Sequence, residues 1–66
     1  MVAIFNISVH GERLASTPLA YQAVRAARNK AVRDGITVEV EAVTDDGQTR
    51  RVQYLPDGTL RKLWAL

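Results

Sequence analysis

The sequence predicts an α+β fold in which a single helix packs on a twisted antiparallel sheet, in the order ββαβββ. Three observations carry that expectation. Residues 3–9 and 36–44 alternate apolar and polar side chains with period two. Residues 20–34 place alanine and valine at helical spacing between a Thr-Pro pair and an Asp-Gly pair. The apolar runs that follow are separated by acidic-glycine turn signals, TDDGQ and PDGT. At 66 residues the chain makes one domain, 1–66. A domain this small buries only about 60% of the surface its unfolded chain exposes, so every large apolar side chain counts.

The first strand is expected over Ala3 to Val9, with Ala3, Phe5, Ile7 and Val9 on one face and Ile4, Asn6 and Ser8 on the other. Gly11 and Glu12 fit the two central positions of a type II′ turn, because glycine supplies the positive φ of the first of them. That turn sets Val9 opposite Leu14 and predicts a short second strand, Arg13 to Ser16. Thr17 then reads as a helix N-cap and Pro18 as the first helical residue, while Asp34 and Gly35 mark the end, glycine taking the left-handed conformation. Between them Ala20, Ala23, Val24, Ala27 and Ala31 form one apolar stripe. Because most of the stripe is alanine, the helix axis is expected close to its sheet.

In ITVEVEAVT, Ile36, Val38, Val40 and Ala42 alternate with Thr37, Glu39, Glu41 and Val43. A three-residue loop of Asp45, Asp46 and Gly47 pairs Val40 with Val52, Val38 with Tyr54 and Glu41 with Arg51. A two-residue loop would set Glu41 opposite Val52, and a one-residue slip exchanges the faces, so the three-residue loop is preferred. LPDGT leads into LRKLWAL, where alternation fails. Either Leu60, Trp64 and Leu66 point inward with Lys62 among them, or Leu63 does with Arg61; both registers stay open.

Composition excludes several classes of function. With 47% hydrophobic and 24% charged residues the chain is an ordinary globular protein. The opening VAIFNISV is broken by Asn6 and Ser8 and is expected as a strand, not a signal peptide or membrane span. There is no cysteine, hence no disulfide framework or zinc knuckle, and a cytoplasmic location is expected. The one histidine, His10, lies beside a turn. Asp45, Asp46 and Asp57 are turn residues without calcium-loop spacing, and no glycine-rich phosphate loop precedes the helix. The expectation is therefore no enzyme, no metal and no cofactor, which leaves surface recognition.

Two groups of residues are candidates for it. At 100° per residue Tyr21, Arg25, Arg28 and Val32 fall within an arc of about 60° on the helix side away from the alanines. Tyrosine and arginine are over-represented at interface hot spots, and arginine also suits phosphate. The second group, Arg51, Arg61 and Trp64, lies on the last two strands. Alternation sends Arg50 and Arg51 to opposite faces, and a Glu41–Arg51 pair partly neutralises the outer one. One flat interface does not hold both groups. The net charge of +2 and the interleaved acids favour a protein partner. A nucleic acid held by the basic helix is the alternative, and a homodimer through the last strand or the outer sheet face is the third reading.

The order of elements, notably EAVTDDGQ followed by YLPDGTLRKLW, resembles the small phage-encoded anti-CRISPR proteins that inhibit type I surveillance complexes. The resemblance implies a non-enzymatic inhibitor, encoded by a phage or mobile element, that docks on a protein subunit and blocks target-DNA binding. It implies no residue roles; the candidates above come from the helical wheel and the strand alternation.

Overall fold

The period-two segments form strands and the 3.6-period segment a helix. A computed structural model describes residues 3–63. Its elements are β1 (Ala3–Val9), β2 (Glu12–Thr17), α1 (Ala20–Asp34), β3 (Val38–Thr44), β4 (Thr49–Tyr54) and β5 (Leu60–Lys62). The strands make one antiparallel sheet in the order β2-β1-β3-β4-β5. After the β1–β2 hairpin the chain crosses one face of the sheet as α1, then returns as β3 on the free side of β1.

The β3–β4 hairpin has the expected register, with Val38 opposite Tyr54, Val40 opposite Val52 and Glu41 opposite Arg51. The Thr44 N–H donates to Gln48 O at 2.9 Å and closes the three-residue loop, in which Gly47 takes φ 87°. Asp46 organises that loop by accepting from the Thr44 hydroxyl and from the Gln48 N–H. Both bonds hold its carboxyl below the usual range. Asp57 does the same in the next turn, accepting the Thr59 N–H at 2.9 Å, and its carboxyl is also lowered. Of the two registers open for the last strand, the first holds within the described residues. Leu60 faces Tyr54 and Lys62 faces Val52 on the helix side, while Arg61 faces Gln53 on the other. Trp64 and Leu66 lie outside the described residues.

The first hairpin departs from expectation. His10 and Gly11, not Gly11 and Glu12, are the central residues, with φ of 52° and 81°. Val9 therefore faces Glu12 and not Leu14. Two successive positive φ values match the twist of the flanking strands, and histidine tolerates the left-handed region better than most residues. A bulge between Ile7 and Ser8 then shifts the register so that Ile7 faces Ala15, leaving Leu14 as the extra residue, 47% exposed.

The helix also starts later than its sequence signal. Thr17 pairs with Phe5 and is the last residue of β2, so Pro18 and Leu19 make the corner and Leu19 takes the cap position without a side-chain cap. The Thr17 hydroxyl still accepts the Leu19 N–H at 3.2 Å, a local turn instead of a helix cap. At the other end Gly35 takes φ 65° as expected, and its N–H and that of Ile36 both reach the Ala31 carbonyl. A Cβ added at Gly35 would meet nothing within 4 Å, so the cost of Gly35→Ala is conformational. We expect a loss of about 1 kcal/mol, a fall of roughly 4–8 °C in the thermal midpoint, and a smaller loss for Gly35→Asn.

The core sits between α1 and the inner strands. Ala23, Ala27 and Ala31 have no exposed surface and lie against Ile7, Val38, Val40 and Tyr54, with Phe5, Val9, Ile36 and Val52 packed around them. The buried stripe is narrower than expected. Ala20, in the first turn, is exposed, and Val24 is 42% exposed on the flank that faces β4.

Candidate functional site

Arg51 and Arg61 end on the side of the sheet away from α1, as alternation requires, and so apart from Tyr21, Arg25 and Arg28 on the helix. On the side away from α1, register sets Ser16, Asn6, Glu41 and Arg51 in one row across four strands. The Ser16 hydroxyl donates to Asn6 Oδ1 at 2.7 Å, and Asn6 Nδ2 makes a long 3.5 Å contact to Glu41 Oε1. Arg51 Nε donates to Glu41 Oε2 at 3.1 Å and lies 3.9 Å from Glu39 Oε1. Arg51 is therefore held between two carboxylates and its charge is locally balanced. The shallow cleft on this face, about 310 Å³, is lined by Arg13 and Arg51 together with Glu39 and Glu41. Arg61 is exposed on the same face, opposite Gln53. Trp64, the third member of this group, lies outside the described residues.

On the helix the four cations divide. Lys30 and Arg33, in the last turns, both bind Asp34, at 2.8 and 3.3 Å, and these bonds lower the Asp34 carboxyl. Arg25 and Arg28, in the middle, make no ion pair among the described residues. Beside them Tyr21 is 66% and Val32 52% exposed. Arg28 leans over the β4–β5 turn: a Cβ at Gly58 would lie 3.4 Å from its Nε and 3.4 Å from Val32 Cγ2. Its charge also reaches Tyr54, whose phenol is pushed up by burial, with the Arg28 guanidinium partly offsetting that rise. The structure thus brings Tyr21, Arg25 and Arg28 onto one flank and keeps Arg51 and Arg61 apart from them.

Sequence reasoning missed what lies beside that flank. Between α1 and the β4–β5 hairpin runs an open groove of about 250 Å³ whose lining includes Phe5, Val24, Val40, Val52, Tyr54 and Leu60, with Arg50 the one charged side chain among the described residues that line it. A signal for it was present in the geometry of the predicted elements. A helix is about 10 Å across and strands are about 4.8 Å apart, so one helix covers two or three strands of five and leaves apolar side chains bare on the rest. Among the described residues no group of three His, Asp or Glu side chains converges as a metal site, and no helix is long and apolar enough to cross a membrane.

Comparison of the chain with protein-family models, with curated proteins and with solved structures finds no match.

Proposed function

We propose that this chain is a small non-enzymatic binding protein that acts by occupying the surface of a partner protein, gripping it with the outward flank of α1. The observation that supports this reading best is the division of charge along the helix. Lys30 and Arg33 share the one Asp34 carboxylate, whereas Arg25 and Arg28 make no ion pair among the described residues and stand beside exposed Tyr21 and Val32. Guanidinium and tyrosine groups set among aliphatic side chains are the composition of an interface hot spot. A surface that grips nucleic acid through phosphate neutralisation gains little from an aliphatic side chain such as Val32 between its cations.

The resemblance to anti-CRISPR proteins supports a more specific form of the proposal. In it the partner is a subunit of a type I surveillance complex, the source is a phage or mobile element, and the site of action is the bacterial cytoplasm. Inhibition is then by occupancy, a bound chain standing where target DNA would enter. Arg51 contributes little in this reading, because Glu39 and Glu41 already hold it.

The test is affinity capture from a bacterial lysate with mass spectrometry, run with and without nuclease at moderate salt. A discrete protein complex that survives nuclease is the expected result and identifies the target. Recovery of nucleic acid alone, or of proteins lost on nuclease treatment, would move the function to the basic helix as a nucleic-acid binder.

A further inference from the structure

The polar cleft on the face away from α1 spans two neighbouring rows of the sheet, one through Arg13, Ser8 and Glu39, the next through Asn6, Glu41 and Arg51. Both rows cross β1, so Ser8 and Asn6 form the floor. Arg13 on β2 stands to one side of them and the carboxylates on β3 to the other. The charges of this lining balance in sum but not in place. Glu39 and Glu41 share the one Arg51 guanidinium, which leaves a carboxylate charge in excess on β3. Arg13, the matching cation, sits two strand spacings away, about 10 Å, and makes no ion pair among the described residues. Arg61 is exposed on the same face but does not line the cleft.

The floor has unused hydrogen-bonding groups. Asn6 is only 8% exposed, although it lies on the side of the sheet without the helix. Its Oδ1 accepts from the Ser16 hydroxyl, whereas Nδ2, which carries two N–H groups, has only the long contact to Glu41. The Ser8 hydroxyl makes no hydrogen bond among the described residues. A buried amide with a spare donor is completed by water or by a ligand. Beside the cleft a second depression of about 180 Å³ shares Ser8, Gly11 and Glu39 with it and adds His10, Thr37 and Gln53, so the lining stays polar throughout.

We infer that this cleft binds a small zwitterion of amino-acid or dipeptide size, with its carboxylate on Arg13, its ammonium on Glu39 and Glu41, and its middle over Asn6 and Ser8. A simple anion would satisfy Arg13 and meet the excess carboxylate with nothing to offer it. A simple amine would do the converse. A molecule that carries both charges engages both sides of β1 and can accept from the spare Asn6 N–H between them. The cleft volume of about 310 Å³ is at the small end for ligand sites, which suits a molecule of this size. The site is separate from the α1 flank and does not rest on it.

The experiment titrates the isotope-labelled full chain, at neutral pH and low salt, with glycylglycine, with N-acetylglycine, which lacks the ammonium, and with glycinamide, which lacks the carboxylate. Glycylglycine is expected to shift the Asn6 side-chain amide and the backbone amides of Ser8 and Arg13. Each blocked probe should bind about tenfold more weakly, having lost one charge-assisted contact. Arg13→Gln, at an exposed position, should weaken glycylglycine about tenfold and leave glycinamide unchanged, and Glu39→Gln should weaken glycylglycine equally and leave N-acetylglycine unchanged. Absence of shifts with all three probes would overturn the inference and leave water to complete Asn6. Binding of N-acetylglycine as tight as that of glycylglycine would also overturn it, since Arg13 would then be a plain anion site, and equally tight glycinamide would reduce the cleft to a cation site. Shifts that grow with chain concentration and no probe would make the occupant a second copy. Because the cleft and the α1 flank lie on opposite sides of the sheet, each of these results leaves the proposed function to its own test.

Discussion

Ala27→Leu is expected to lower the midpoint of thermal unfolding by roughly 10 °C, from an overpacking cost of about 1–3 kcal/mol and roughly 4–8 °C per kcal/mol in a domain this small. Ala27 has no exposed surface and sits mid-way along the alanine line that lies against Ile7, Val38 and Val40. Three added carbons have no void to enter there, so the helix must lift from the sheet or the strands must part. Lifting would loosen Ala23 and Ala31 in the same movement, since all three make one contact line. Ala26→Leu is the control: Ala26 is exposed on the same helix, and a change there should stay within about 0.5 kcal/mol. Thermal denaturation followed by circular dichroism separates the two. Equal midpoints for both variants would mean that α1 does not pack through its alanine line.

Tyr54→Ala is expected to act in the opposite sense of volume with a larger effect, a loss of about 3 kcal/mol. Among the described residues Tyr54 is the one aromatic ring in the buried core, 6% exposed, in a set whose other members are alanine, valine and isoleucine. Few neighbours are large enough to collapse into the space it leaves. Tyr54→Phe should by contrast be nearly silent, because the hydroxyl makes no hydrogen bond among the described residues and burial already disfavours its ionised form. Denaturant unfolding of both variants measures the difference, and a Phe variant as unstable as the Ala variant would refute this account of the ring.

The sheet was legible where faces are chemically distinct. Glu39 and Glu41 interleave with Val38 and Val40, so a slip of one residue between β3 and β4 would bury carboxylates, and the sequence leaves one register that avoids it. Gly35 was legible because a helix followed at once by a strand needs a left-handed residue between them. The first hairpin was not, because Gly11 suits either of two adjacent turns, and the deciding residue, His10, carries no strong turn preference. The bulge at Leu14 follows from that choice and has no local signal of its own. Thr17 and Pro18 misled because a capping signature and a strand end use the same extended backbone, and pairing with Phe5 claimed Thr17 for the sheet.

For the candidate site, the wheel placed Tyr21, Arg25 and Arg28 together, since a helix fixes relative direction without tertiary information. It could not show which cations would be paired. Asp34 takes Lys30 four residues back and Arg33 beside it, while Arg25 and Arg28 have no acid at i±3 or i±4 and make no ion pair among the described residues. The groove belongs to the relation between α1 and the β4–β5 hairpin, and the strand order that sets this relation was not readable from the chain.

The most direct test of the claim that α1 grips a protein partner is the affinity of the captured partner for wild-type chain and for the Arg25→Glu/Arg28→Glu variant, after circular dichroism has shown both to be folded, with Arg51→Ala as the contrast. The account predicts a loss of at least about 30-fold for the helix variant, equivalent to about 2 kcal/mol, with Arg51→Ala close to wild type. Unchanged affinity in the helix variant together with a large loss in Arg51→Ala would contradict it and move the binding site to the opposite face of the sheet.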